Sequence, residues 1–175
     1  MNTRLMTLLI VLPLIIKADN SVLKMRGVIE PGQENHLVLR GVTNIFAPSD
    51  VYTVRALTDK DTVLLRGEVT ESLDPSSKAV LGAKNNPMMP IAWLHPYKVN
   101  GGTAGITFAT TTGASVDLLN EDLRRLIVNA TYHLTGLEVP ALANVTPVDS
   151  YKPSFYGFFG KEHWEELKLK VEDFD

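Results

Sequence analysis

The hydrophobic and polar positions of this chain follow three rhythms, and the first is an unbroken apolar one. Residues 5–16 (LMTLLIVLPLII) are interrupted only by Thr7 and Pro13, with Arg4 before them and Lys17 after. A bilayer-spanning helix needs about 20 apolar residues, so no stable membrane span is expected. A basic start and a short apolar stretch suit a secretory signal peptide, although Ile16-Lys17-Ala18 lacks a small residue two places before Ala18. A buried strand over 8–12, inside a parallel sheet, is the alternative. Export follows from the first reading and a cytoplasmic location from the second.

Alternation is the second rhythm. Residues 51–57 (VYTVRAL) set Tyr52, Val54 and Ala56 on the expected core face and Val51, Thr53, Arg55 and Leu57 on the other. With 62–70 (TVLLRGEVT), rich in β-branched residues, they predict a hairpin closed by the turn at 58–61. Before it, 27–34 (GVIEPGQE) carries a Pro-Gly turn, and after it 71–87 reads as a surface loop. Residues 88–94 (MMPIAWL) and 104–111 (AGITFATT) predict two more strands joined through Asn100-Gly101-Gly102, with Pro90 tolerated only near a strand start.

The third rhythm is helical. Leu123, Leu126, Ile127, Ala130 and Leu134 form one stripe, opened by an Asn120 N-cap with Glu121 and Asp122 behind it and closed by Gly136. Arg124 and Arg125 fall off that stripe, which predicts a solvated face. Pro140, Pro147 and Pro153 mark an extended segment wrapping over the domain, ending in the packing aromatics Phe155, Tyr156, Phe158 and Phe159. Residues 161–175 predict an amphipathic tail helix with Trp164, Leu167, Val171 and Phe174 on one side and a Glu166–Lys170 pair.

Composition narrows the picture. With 175 residues, 45% hydrophobic and 21% charged, the chain matches one globular domain. A formal charge of −3 argues against nucleic acid as a partner. The chain has no cysteine, which excludes disulfides, thiolate metal sites and thiolate nucleophiles.

Motifs for phosphate, dinucleotide or zinc binding are absent, no cofactor or metal is expected, and no residue is assigned a catalytic role. The four histidines, His36, His95, His133 and His163, are widely spaced. His163 and Glu166 stand three apart, and His133 inside the helix reads as a surface or packing residue. His95 follows a buried strand, where sites often form. Asp50 precedes a strand next to Ser49, and 110–117 (TTTGASVD) joins a strand to a helix through a small-residue loop whose amides suit hydroxyl or anionic oxygens. Ser115 or Asp117 is equally suited to capping the following helix. The candidate substrate-binding residues are thus Asp50, Trp93, His95, Thr111, Ser115 and Asp117, with Trp93 either stacking on a sugar ring or packing in the core.

A family resemblance follows from several strings taken in order. RGVIEP at 26–31, SDVY at 49–52, NPMMPIAW at 86–93 and TTTGAS at 110–115 come first, then DLLNE at 117–121, LRRL at 123–126 and VNATY at 128–132. With YKP at 151–153 and FYGF at 155–158, they resemble the C-terminal portion of a ThuA-like (trehalose-utilisation) domain, in the versions common in planctomycete-type bacteria. The resemblance covers about 25–160, leaving 1–24 as an apolar leader and 161–175 as the tail. It implies an α/β fold, part of a class I glutamine amidotransferase-like, flavodoxin-like sandwich, with a β-hairpin excursion and one main C-terminal helix. It also implies a role in carbohydrate utilisation.

The chain departs from the wider fold family in lacking the nucleophilic cysteine, so glutamine hydrolysis by that route is not expected. Where many ThuA-like proteins have Gly-His, it has Gly113-Ala114. The family's N-terminal half has no counterpart before Met25. A truncated form is therefore expected, with an uncovered sheet edge that associates with a second copy or a complementing N-terminal half. Beside a carbohydrate-binding role stand two alternatives, a non-catalytic interaction module and a degenerate fragment without activity of its own.

Overall fold

The structure, a computed structural model, describes residues 24–54, 56–72, 74–154 and 160–174. The apolar stretch 5–16 and the aromatic group at 155–159 lie outside the described residues. The described chain is a mixed α/β arrangement. Strands β1 (Lys24–Ile29), β2 (Phe46–Ala47), β3 (Thr62–Thr70), β4 (Met89–Lys98) and β5 (Ala104–Thr110) form one sheet in the order β2-β1-β3-β4-β5. Every neighbouring pair is antiparallel. Helix α1 (Glu121–Thr135) packs with the sheet and helix α2 (Lys161–Leu167) follows near the end.

Successive strand residues point to opposite faces. Leu64 and Leu65, Ile91 and Ala92, and Phe108 and Ala109 are all buried, so the middle of the sheet is covered on both sides. The β4–β5 hairpin forms as expected, with Gly101 in the left-handed region and Gly102 N–H donating to the Val99 carbonyl at 2.9 Å. Pro90 is the second residue of β4, where its missing donor is tolerated.

The hairpin expected from 51–57 and 62–70 is absent. Residues 51–54 are irregular, and Ala56 takes a φ of 62°, which breaks extended geometry. Val51 instead lies over Gly67, beside Ile91 and Met25, in space that any side chain on Gly67 would need. Tyr52 and Val54 are half-buried, but Ala56 is exposed rather than in the core. β3 pairs with β4 on one side and, on the other, with β1, whose Lys24, Arg26 and Gly27 give no apolar alternation. The Pro31-Gly32 turn follows it as expected, with Gly32 at a φ of 86°.

Helix α1 matches its sequence signals. The Asn120 side chain accepts from Leu123 N–H, Gly136 closes the helix at a φ of 74°, and Leu123, Leu126 and Ala130 are buried in the core. Arg124 and Arg125 do not lie on a solvated face. Arg125 is only 5% exposed and pairs with Glu121 and Asp122, while its Nε donates to the Ala143 carbonyl and its Nη1 to that of Gly41. Arg124 Nε donates to the Val145 carbonyl at 2.9 Å, and Arg40 donates to that of Val139. These guanidiniums hold down 139–145, where Val139, Ala143 and Val145 are buried and the irregular backbone needs donors for its carbonyls. Over 139–145 the chain wraps as expected, and the arginines fasten it.

The tail departs from its pattern. Lys168 adopts a φ of 47° and ends α2, and a separate 3₁₀ turn covers Val171–Phe174. Trp164, Leu167 and Val171 are exposed, and the ion pair is Lys161–Glu165 at 3.1 Å rather than Glu166–Lys170. Seven residues make a helix too short to hold together without a packed face.

Candidate functional site

The loop after β5 and the chain entering 51–54 meet at one carboxylate. Asp117 is 0% exposed, and it accepts from Ser49 N–H at 3.1 Å, from Ser49 Oγ, and from Gly113 and Ala114 N–H at 3.0 and 2.9 Å. It is not the cap of the following helix. Its side chain reaches back to bind the small-residue loop to Ser49, and Asn120 caps α1 instead. Thr111 N–H donates to the Ile91 carbonyl, and the Thr110 hydroxyl donates to the same oxygen, which anchors the loop start on β4. At the other end, Tyr151 Oη donates to the Ser115 carbonyl at 2.7 Å and Ser115 Oγ to that of Ser154 at 3.2 Å.

Around this junction stand Lys24, Asp50 and Tyr52. Lys24 is 1% exposed, and burial pushes its pKa below the ordinary lysine value against the opposing pull of Asp50 and Asp117. Asp50 sits at the surface, yet the protein packed about its carboxyl pushes its pKa up, opposed by Lys24 and Lys84. Tyr52 has its phenol raised by burial and lowered in smaller measure by the Thr111 side chain. Burial thus moves both Lys24 and Asp50 toward their neutral forms.

Four of the six expected residues, Asp50, Thr111, Ser115 and Asp117, converge here; Trp93 and His95 do not. Both lie further along β4, and His95 is four positions beyond Ile91, about 13 Å along the strand. There His95 Nδ1 is 2.6 Å from Asp61 Oδ1, and the Asp61 side chain is 1% exposed. Asp61 Oδ2 accepts from Thr58 N–H at 2.6 Å and Thr58 Oγ1 at 3.0 Å. Burial would raise the Asp61 pKa, but the hydrogen bonds from Thr58 and His95 bring it below the ordinary value. A carboxylate accepting at Nδ1 makes that nitrogen the donor, and in the neutral imidazole this puts the lone pair on Nε2.

Lys24 and Asp61 give little warning in the sequence, because a lysine inside a strand and an aspartate in a turn are both common. The Thr-x-x-Asp spacing at 58–61 was the one available cue. A further pairing crosses long sequence distance: the His36 and His133 rings stack edge to face with centroids 5.3 Å apart. His36 Nδ1 accepts from Val38 N–H, capping the 3₁₀ turn Leu37–Leu39.

Among the described residues no three His, Asp, Glu or Cys side chains gather as metal ligands, and no helix is long and apolar enough to cross a membrane. No protein-family model, curated protein or solved structure matches the chain.

Proposed function

We propose that this chain is the C-terminal portion of a ThuA-like domain, in a class I glutamine amidotransferase-like, flavodoxin-like sandwich, and that it binds a neutral sugar at the Asp117 junction. The observation that carries the reading is the saturated Asp117 carboxylate. It fixes the 111–115 loop against Ser49, and so sets Asp50 and Tyr52 beside that loop and Lys24. Sugar hydroxyls pair with a carboxylate as donors, so Asp50 offers a polyol an anchor that needs no cofactor. Asp50 is the residue that accepts from and orients a sugar hydroxyl, and Asp117 is a positioning residue. Trehalose and related disaccharides are the ligand class that the sequence resemblance favours.

The experiment is calorimetric titration of the full chain with trehalose, maltose and glucose, repeated with Asp50→Ala. Saturable binding that Asp50→Ala weakens about tenfold, the cost of one charge-assisted hydrogen bond, supports the reading. Binding unchanged by that substitution removes it. A second reading, an interaction module, is favoured by one feature: among the described residues β5 is an edge strand with Ile106 exposed, a template for pairing with another chain. A concentration-dependent mass in sedimentation, abolished by Ile106→Lys, is its signature.

A further inference from the structure

The β4–β5 hairpin carries a second concentration of recognition chemistry. Trp93, His95 and Tyr97 alternate along β4, and their direct partners Ala109, Thr107 and Gly105 alternate along β5 in an unshifted register. All six therefore share one face, with Trp93 and Tyr97 each about 7 Å from His95 along the strand. At the outer end, a Cβ on Gly105 would lie 2.7 Å from Tyr97 Cζ and 2.8 Å from its Oη. Glycine is what lets the phenol ring lie across β5. In the middle, Asp61 holds the imidazole by Nδ1, and because Asp61 is shut away while the His95 side chain is 45% exposed, the open edge of the ring is the one bearing Nε2.

We propose that this face is a saccharide subsite separate from the Asp117 junction. The apolar C–H face of a pyranose lies on the Tyr97 or Trp93 ring, and a sugar hydroxyl donates to His95 Nε2. A flat ring beside a fixed acceptor matches the two surfaces a pyranose offers, one apolar and one hydroxyl-bearing. A carboxylate directly behind the imidazole, in a chain of net charge −3, disfavours phosphate or carboxylate ligands and leaves a neutral one. Asp61 acts as the positioning residue by fixing the tautomer. The proposal takes its ligand class from the carbohydrate reading above but uses none of that site's residues.

Isotope-labelled full chain titrated with trehalose and with maltose tests it, followed by NMR at the Trp93 indole N–H, His95 Cε1–H and Ser49 and Tyr52 amides. Saturable shifts at Trp93 and His95 are expected, with affinity falling about tenfold in Tyr97→Ala and in His95→Phe. His95→Phe keeps a ring in place while removing the acceptor, which covers the case in which Tyr97→Ala disturbs the hairpin. Saturable shifts confined to Ser49 and Tyr52 overturn the subsite and leave the junction reading standing. Shifts confined to the hairpin support the subsite and overturn the junction. Hairpin shifts that survive both variants overturn the subsite, and no saturable shift with either sugar overturns both.

Discussion

Asp117 and Asp61 are both closed off from solvent, and both are ringed by donors, but they dispose of their charge differently. Asp117 receives four hydrogen bonds from Ser49, Gly113 and Ala114. Its capacity is filled by architecture. Asp61 receives two from Thr58 and one from His95, and through that ring its influence reaches the surface. A buried carboxylate is thus either a fastener or a lever, and the partner decides which.

The largest expected effect tests the fastener. Asp117→Ala leaves several donors without an acceptor and should cost about 3 kcal/mol in urea denaturation, with sugar binding at the junction lost as the loop drifts. Asp61→Ala should cost less, about 1 kcal/mol, because Thr58 is exposed and its donors regain water. Equal losses in the two melts would erase the contrast.

Acid sharpens it further. Hydrogen bonding lowers the Asp61 pKa, so its contribution is present above the ordinary aspartate value and is lost as pH falls below about 4. His36 has its pKa lowered by burial and then by the neighbouring His133, so its contribution is full above about pH 6.5 and is lost as pH falls through that region. Protonating His36 fills the Nδ1 lone pair that caps Val38 and sets a cation against the His133 ring. A stability profile should therefore fall as pH drops below about 6.5, a fall that His36→Asn, which keeps an acceptor, removes. A profile flat from pH 8 to 5 would rule out the histidine contact as a stabilising one. The smallest effect concerns the tail. Deleting 161–175 should shift the melting midpoint by less than about 2 °C, since Trp164, Leu167 and Val171 are exposed in the folded chain.

What the sequence made legible follows the same division between local and distant causes. Helix α1, its caps and the β4–β5 hairpin were readable because their signals sit within a few residues of what they control. The 51–57 alternation misled because period two is also produced by an irregular chain whose Val51 and Tyr52 pack in different directions. Arg124 and Arg125 were misread for another reason: helical position says which way a side chain starts, and only the fold says that buried carbonyls wait at 143 and 145. Among site residues, Asp50, Thr111, Ser115 and Asp117 came together because two loops converge. Lys24 and Asp61 acquire meaning only from partners 26 and 34 positions away, Asp50 and His95.

The arginine fastenings of 139–145 carry one more consequence. Arg40, Arg124 and Arg125 come from two separate elements, and each grips a different carbonyl. Releasing the segment means breaking all three contacts while also exposing Val139, Ala143 and Val145, so the strap and α1 open as one cooperative unit. Its amides and those of the helix are thereby set to exchange with solvent at a common rate, so a stretch of chain with no regular structure ages with the core rather than with the loops.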